Sequence, residues 1–270
     1  MSSPPPSLDL SRVDALATAL LDAFETGSPL DPISAMYPDL TVDDAYAVQR
    51  ALIAGHVAAG RTVTGRKIGL TSEGIQKQLG VDSPDFGVLF DTLTFRSGEG
   101  VSMSALNAIL PRIEGEVGFI LSRPLAGPGV SAQDVREATA GVMPVFELID
   151  SRIRDWKITL VDTVADNASC LGAVIGDHVT LPDAGPLPHT KMTLARDGEI
   201  LQAGEGSAVL GDPAEAVAWL ANELGARGDV LPAGVPILSG SLTPAVDALP
   251  GRYVADFGPL LGTVTIDIEA

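Results

Sequence analysis

A glutamate inside an apolar run constrains this chain more than any other feature. Glu147 lies within Val142–Asp150, where most neighbours are apolar and the pattern predicts a buried strand. A carboxylate buried in such a strand is costly unless it is paired or neutralised. The fold must therefore bring a partner to Glu147.

A second predicted strand supplies two more carboxylates. Glu114 and Glu116 lie within Arg112–Ile120, and the alternation of side chains along a strand places both on one face. Three carboxylates facing one point repel each other, and a hard divalent cation, which prefers oxygen ligands, relieves that repulsion. We therefore hypothesise a metal site at Glu114, Glu116 and Glu147.

Two other interpretations of these glutamates stay open. Carboxylates two residues apart on a strand commonly form a solvated face, which would give Glu114 and Glu116 no ligand. Glu147 would alternatively form a buried ion pair with Arg112 or Arg152. The three interpretations predict different neighbours for Glu147.

Composition and charge narrow the class of protein. The chain has 270 residues, 46% hydrophobic and 19% charged, which is typical of a folded protein of one or two domains. Its net charge of −18 argues against nucleic acid or an anionic membrane as partner. We find no secretory signal and no apolar run of membrane-spanning length.

Cysteine and histidine usage add little chemistry. Cys170 is the single cysteine, so no intramolecular disulfide can form, and we expect a cytoplasmic location. His56, His178 and His189 lack metal-ligand spacing, and we interpret each as structural or surface.

The periodicity predicts a helical N-terminal region followed by strands. Helices are expected from about Ser11 to Thr26 and from Thr41 to about Gly60, the second opened by a capping box of Thr41 and Asp44. We divide the chain into a helical region, residues 1–61, and a strand-rich domain, residues 62–270. Because helices and strands do not alternate regularly, the class is α+β with a mostly antiparallel or mixed sheet.

Within the second region the predicted elements follow one another closely. Further helices are expected at 72–79, 131–138 and 212–224, a turn-rich stretch at 80–87, and an irregular one at 151–169. Besides the two glutamate strands, strands are expected at 62–70, 88–95, 190–195, 199–203, 235–240, 252–257 and 262–268.

Five motifs in order resemble one family. They are Lys67–Ser72, Gly80–Gly87, Arg112–Glu116, Glu147–Arg152 and Asp162–Ser169. Together they are similar to those of the 2-keto-4-pentenoate (2-hydroxypenta-2,4-dienoate) hydratases of the fumarylacetoacetate hydrolase superfamily. The similarity runs from about residue 10 to the C-terminus, and it implies a mixed β-roll with a helical N-terminal region.

The resemblance also implies a site. It implies Mg²⁺ or Mn²⁺ held by three carboxylates, which fall on Glu114, Glu116 and Glu147, and it implies a homo-oligomer, often a decamer. The family's lysine matches Lys67 and its acidic partner Asp85, with Leu70, Ser169 and Ser241 assigned to the substrate pocket. From the residues alone, Lys67 would be an exposed strand lysine, and Asp85 and Ser241 would be turn residues.

The implied activity is that of a hydro-lyase of aromatic catabolism. It would add water to a small anionic 2-hydroxy-2,4-dienoate and give a 4-hydroxy-2-keto acid. Alternatives on the same scaffold are a decarboxylase of 4-oxalocrotonate type and a non-catalytic partner subunit. A carbon–carbon bond hydrolase is disfavoured, because no histidine falls in a stretch that matches the His–Glu pair of those enzymes.

Overall fold

Two mixed sheets pack face to face and form the centre of the protein. The structure is a computed structural model that describes residues 8–72, 74, 76–77, 80–81, 83–177 and 187–269. In these residues the larger sheet has the strand order β2-β1-β10-β5-β6-β7-β3, with β11 beside β5, and the smaller has the order β4-β13-β12-β8-β9. The strands are β1 (Val63–Gly69), β2 (Asp85–Phe90), β3 (Thr94–Arg96), β4 (Gly100–Ser102), β5 (Arg112–Leu121), β6 (Thr139–Ile149), β7 (Cys170–Ile175), β8 (Lys191–Arg196), β9 (Glu199–Glu205), β10 (Pro236–Ser241), β11 (Val246–Asp247), β12 (Gly251–Asp256) and β13 (Thr263–Glu269).

The pairing confirms a mixed architecture. β1 pairs with β10, β3 with β7, and β4 with β13 in parallel, while the remaining pairs are antiparallel. The predicted hairpin at Asp197–Gly198 joins β8 to β9, and both turn residues have positive φ, as a tight hairpin turn requires. The two sheets approach closely at β5, because a Cβ at Gly115 would lie 2.8 Å from Met192 Cε of β8.

Several helices pack against the larger sheet. They are α1 (Leu10–Thr26), α2 (Ile33–Met36), α3 (Val42–Ala58), α4 (Ala132–Ala138), α5 (Leu160–Ala165), α6 (Pro213–Ala226) and α7 (Gly258–Leu261). The capping box predicted for Thr41 and Asp44 opens α3, and Asp212 caps α6 with Pro213 at its first position.

The N-terminal helices are bonded directly to the elements that carry the site. Gln49 of α3 is buried, and its Nε2 donates to the carbonyls of Phe86 in β2 at 2.8 Å and Val164 in α5 at 2.9 Å. Tyr46, one turn earlier, stacks on Phe86 with ring centroids 4.6 Å apart. α3 thereby fixes β2 relative to α5.

Two sequence expectations need correction, and three others lie wholly or partly outside the described residues. The stretch 80–87 is not a turn throughout, because β2 begins at Asp85 and all six of its residues are buried. Residues 151–169 are not wholly irregular, because Thr159 and Asp162 form a capping box that opens α5. The helix expected at 72–79, the tail before Leu8 and His178 fall wholly or partly on residues outside the described ranges.

In the described part of the chain no helix has the length and apolarity needed to cross a bilayer. The division between residues 61 and 62 falls in the connection between α3 and β1 and stays a prediction.

His56 is a neutral core histidine. Its ring packs against Phe24 and Phe90, with centroids 4.9 and 4.7 Å away, and its Nδ1 lies 3.2 Å from Arg61 Nη1. Burial, followed by the nearby charges of Arg61 and Arg152, lowers the pKa of His56 from 6.5 to about 3. Because the folded pKa is depressed, the unfolded state binds the proton first, and stability is lost as pH falls below the unfolded value.

His56→Gln keeps an acceptor for Arg61 but does not titrate. We expect this variant to reduce the pH dependence of the unfolding free energy. Between pH 7.5 and 5.5 the native protein should lose on the order of 1 kcal/mol more unfolding free energy than the variant. Urea denaturation at both pH values measures the difference, with the exposed His189→Gln as control. Parallel pH dependences for the native protein and His56→Gln would contradict the assignment.

Candidate active site

A cavity of about 430 Å³ opens beside the larger sheet. Its walls come from the end of β1, the starts of β2 and β5, the end of β6, the segment 156–169 and the segment that follows β10. Six of the residues singled out from the sequence line it: Lys67, Leu70, Asp85, Glu114, Ser169 and Ser241.

Strand register brings the three glutamates together. Glu114 of β5 lies directly opposite Glu147 of β6 in the antiparallel ladder, and Glu116 follows two residues along the same face. One oxygen from each of the three carboxylates lies within 4.8 Å of the others. The predicted cluster therefore exists, and it adjoins the cavity through Glu114.

The cluster is electrostatically costly as it stands. Glu116 and Glu147 are 0% and 1% exposed, while Glu114 is partly exposed. Burial, reinforced by the charge of Glu147, raises the pKa of Glu114 to about 8 and that of Glu116 well above its usual range. Opposed like charges in a buried ladder require a compensating cation or a proton.

Backbone hydrogen-bond donors stabilise only part of the negative charge of this cluster. The Gly240 N–H donates to Glu116 Oε2 at 2.7 Å, whereas Glu116 Oε1 is buried without a hydrogen-bond partner among the described residues. Gly240 has φ +109°, and a Cβ there would collide with the side chain of Thr71, so glycine is required at this donor. An orphaned carboxylate oxygen aimed into a cluster of oxygens fits a divalent cation.

Lys67 is buried in β1, not exposed as a strand lysine would be. Lys67 is 3% exposed, and its Nζ donates a hydrogen bond to the Ala168 carbonyl at 2.8 Å. The same Nζ lies 3.1 Å from Glu147 Oε1 and forms an ion pair with it, without the angles of a hydrogen bond. Burial alone would lower the pKa of Lys67, but the carboxylates of Glu147 and Asp85 raise it. The ammonium is therefore held in its charged form. Glu147 thus pairs with neither Arg112 nor Arg152, which contact Asp247 and Asp166.

Asp85 is a second buried acid rather than a turn cap. It opens β2 at 1% exposure, and its Oδ2 accepts a hydrogen bond from Thr163 Oγ1 at 3.1 Å. Thr163 Oγ1 also lies 3.2 Å from Ser169 Oγ on the cavity wall. Burial raises the pKa of Asp85, and Lys67 opposes that shift. Sequence reasoning missed Thr163, whose motif position between Asp162 and Ser169 was the available signal.

An unusual backbone turn places Ala168 and Ser169 on the cavity wall. Asn167, Ala168 and Ser169 have φ values of 52°, 52° and 54°, in the left-handed region that non-glycine residues rarely occupy. The Asn167 side chain holds this turn to β2, accepting from the Val88 N–H at 2.9 Å and donating to the Val88 carbonyl at 3.0 Å. Gly87 permits the approach, because a Cβ there would lie 2.5 Å from the Asn167 carbonyl oxygen.

A buried ion pair supports the same turn from behind. Arg152 Nε lies 2.5 Å from Asp166 Oδ1, and Arg152 Nη2 donates to the Asp166 carbonyl at 2.7 Å. The two side chains are 4% and 0% exposed. Asn167 therefore anchors the turn to β2, and Asp166 anchors it to Arg152.

The remaining predicted residues line the pocket with less specific contacts. Leu70 has φ 57° at the end of β1, and Ser241 Oγ donates to the Thr243 carbonyl at 2.6 Å, which is the turn interaction expected of it. Two further lining residues, Arg112 and Trp156, were not assigned to the site from the sequence.

Two mixed sheets, with buried carboxylates and a charged lysine at one cavity, are typical of a β-roll enzyme. The chain belongs to the fumarylacetoacetate hydrolase family, because the model of the fumarylacetoacetate (FAA) hydrolase C-terminal domain matches residues 65–265. This confirms the fold predicted from the five motifs.

Curated relatives cover nearly the whole chain. The 2-hydroxyhexa-2,4-dienoate hydratase of Comamonas testosteroni is 46% identical over 243 residues, 90% of this chain and 92% of that protein. The 2-keto-4-pentenoate hydratase of Paraburkholderia xenovorans (strain LB400) is 45% identical over 254 residues, 94% of each chain.

A solved structure shares the fold throughout. The 4-oxalocrotonate decarboxylase from Pseudomonas putida G7, complexed with magnesium and adipate, superposes with a TM-score of 0.93 at 34% identity. The superposition covers 97% of this chain and 99% of the decarboxylase.

We expect Asn167→Ala to remove the anchor of the left-handed turn. The unpaired Val88 groups should lower the unfolding free energy by about 1–3 kcal/mol, and displacement of Ala168 and Ser169 should lower activity even in the folded fraction. Asn222→Ala is a matched control, because Asn222 bonds to the Val130 N–H and carbonyl at 2.9 and 2.8 Å in the same way, away from the cavity. Denaturation and turnover of both variants test this; equal specific activities would contradict the role of Asn167.

Proposed function

We propose that this protein is a metal-dependent hydratase. It adds water to a 2-hydroxy-2,4-dienoate of the 2-keto-4-pentenoate type and gives a 4-hydroxy-2-keto acid. The observation that carries the proposal is the juxtaposition of a three-carboxylate cluster with the Lys67–Asp85 pair at one cavity. The names of the curated relatives confirm the hydratase expectation from the sequence.

Glu114, Glu116 and Glu147 are the residues that would hold the metal. Their all-oxygen donor set suits Mg²⁺ or Mn²⁺, and the magnesium carried by the decarboxylase neighbour supports a divalent ion. When bound, such an ion supplies Lewis acidity to the carboxylate and 2-oxygen of an α-keto acid. Burial raises the pKa of Glu147, and the Lys67 ammonium, whose Nζ lies 3.1 Å from Glu147 Oε1, opposes that shift.

Asp85 provides the proton transfers, and Lys67 provides a fixed positive charge beside it. The dienol loses its 2-hydroxyl proton and gains one at C5; water then bonds to C4, releases a proton, and C3 is protonated. A buried carboxylate with a raised pKa is suited to accept and return these protons, and Asp85 has that character. The charged Lys67 stabilises the anionic dienolate and opposes the burial that raises the pKa of Asp85. Thr163 orients Asp85, and Ser169 presents a hydroxyl to the cavity.

A decarboxylase is the second candidate, because the decarboxylase neighbour shares the fold over nearly its full length. It would use the same keto-acid end of a longer diacid and release CO₂. The hydratase is preferred, since the relatives of that name are 46% and 45% identical and the decarboxylase is 34% identical.

The direct test follows the loss of diene absorbance of 2-hydroxypenta-2,4-dienoate. EDTA should abolish the loss, and added Mg²⁺ or Mn²⁺ should restore it with 4-hydroxy-2-ketopentanoate as product. Release of CO₂ from 4-oxalocrotonate without hydration of the dienoate would favour the decarboxylase. Metal binding with turnover of neither substrate would favour a non-catalytic partner subunit.

Glu147→Gln should weaken metal binding and activity together. Removing one of three charged ligands should raise the metal Kd at least about tenfold, as measured by calorimetry on the metal-free protein. Asp85→Asn is the matched control, because it also neutralises a buried carboxylate near Lys67 but leaves the three-glutamate cluster intact. An unchanged metal Kd in folded Glu147→Gln excludes residue 147 as a ligand.

Lys67→Ala should spare metal binding and slow turnover. Loss of the charged group should lower kcat by at least about 100-fold. Lys157→Ala is the control, because Lys157 is an exposed lysine paired with Asp155 outside the cavity lining. A native rate in Lys67→Ala would refute the proposed role of Lys67.

We also propose, from the resemblance, that the protein is a cytoplasmic homo-oligomer. Multi-angle light scattering of the purified protein tests the assembly.

A further inference from the structure

We propose that Arg112 binds the 1-carboxylate of the 2-keto acid, so that a guanidinium holds the acid end of the substrate together with the metal ligands. The inference rests on the proposed function, because it concerns how that substrate is bound. It assigns a role to a cavity residue that the proton transfers do not use.

Arg112 lies next to the cluster of three carboxylates, on the solvent side. It precedes Glu114 by two residues on the same face of β5, which separates their Cα atoms by roughly 7 Å. Its side chain is 39% exposed, whereas Glu116 is fully buried, so Arg112 lies at the mouth of the cavity. Burial raises the pKa of Glu114, and the charges of Lys67 and Arg112 partly offset that shift, so both cations act on the cluster.

The edges of the Arg112 guanidinium remain open to a ligand. Asp247 lies opposite Arg112 in the β5–β11 ladder, but it is 76% exposed and outside the cavity lining, and its Oδ1 is 3.6 Å from Arg112 Nε without a hydrogen bond. The Trp156 ring covers one face of the guanidinium, 4.6 Å from its centroid, and Trp156 Nε1 donates to the Leu110 carbonyl at 2.9 Å. The stacking fixes the plane of a group whose paired N–H donors match the two oxygens of a carboxylate.

The other cation of the cavity is already committed to protein groups. Among the described lining residues, Lys67 and Arg112 are the two cations. Lys67 Nζ donates to the Ala168 carbonyl and is paired with Glu147. A 2-keto acid that offers its 2-oxygen and one carboxylate oxygen to a metal leaves the other carboxylate oxygen to be satisfied, and burying it without a donor is costly. Arg112 is the cation left for that oxygen.

Strand order decides which end of the substrate meets Arg112. Asp85 and Lys67 lie on β2 and β1, whereas Arg112 lies on β5, and β10 separates β1 from β5 in the sheet. Because Asp85 exchanges protons at C3 and C5 and with the water that bonds to C4, the carbon chain must extend towards β1 and β2. The 1-carboxylate then lies on the β5 side, beside Arg112 and Glu114.

The test compares two unreactive ligands that differ only in the charge of this end. 2-Oxopentanoate carries the carboxylate, 2-oxopentanamide carries a neutral amide of similar shape, and calorimetry in the presence of Mg²⁺ measures each Kd without turnover. Arg112→Gln should lower the affinity ratio of acid to amide at least about tenfold, because a charge-assisted pair is lost. Arg112→Lys keeps the charge without the planar fork and should give an intermediate ratio.

The metal affinity and a matched arginine serve as controls. Arg112 offers no oxygen ligand, so Arg112→Gln should not raise the Kd for Mg²⁺ of the protein without a keto acid. Arg252 faces Asp267 across the β12–β13 ladder, as Arg112 faces Asp247, and it does not line the cavity. Arg252→Gln should therefore keep the native ratio of acid to amide.

An unchanged ratio in folded Arg112→Gln would overturn the inference. A loss of affinity confined to 2-oxohexanedioate, with 2-oxopentanoate bound as by the native protein, would also overturn it, because Arg112 would then meet the tail. In both cases hydration of the dienoate by the native protein still upholds the proposed function. A native protein that binds neither keto acid and hydrates no dienoate would overturn both.

Discussion

The cross-strand pairing of Glu114 with Glu147 is the constraint on which the rest of the site depends. Antiparallel register sets these carboxylates opposite each other in the middle of a sheet, and Glu116 joins them from the same face. Such a pair is unfavourable by itself. The surrounding elements each relieve part of that cost: β1 brings the Lys67 ammonium, β10 brings the Gly240 N–H, and the open side faces the cavity. The same concentration of negative oxygens that opposes folding makes the cluster receptive to a cation.

The packing of distant segments brings Lys67 and Asp85 together at the cavity. Lys67 and Asp85 lie on neighbouring strands β1 and β2, whereas the groups that orient them come from the 163–169 segment. Residues 167–169 of that segment have left-handed backbone conformations, because Asn167 is bonded to β2 and Asp166 is bonded to Arg152. A support of this kind keeps the Asp85 carboxylate and the Lys67 ammonium at a fixed separation beside the cavity.

Sequence reasoning reached the cluster of three carboxylates because these residues obey local rules. Alternation put Glu114 and Glu116 on one face, and the apolar neighbours of Glu147 marked it as buried. Lys67 and Asp85 came from family motifs, since nothing local distinguishes a buried strand lysine from an exposed one. The turn at residues 167–169 was not predictable from local pattern, because side-chain bonds to β2 and Arg152 stabilise it. α5 was overlooked for a related reason: it has six residues, too few for a periodic signal to emerge.

The hydrogen bonds of Gln49 join the N-terminal helices to the candidate site. They therefore limit which part of the chain can be expressed alone. The single amide group of Gln49 serves two backbone carbonyls, one beside Asp85 and one beside Thr163. If the residues up to the end of α3 were removed, both carbonyls would stay buried without that donor. This loss would fall where Asp85 meets the hydroxyl of Thr163. The N-terminal helices thus support the candidate site, and a β-roll expressed without them would lack the hydrogen bonds of Gln49.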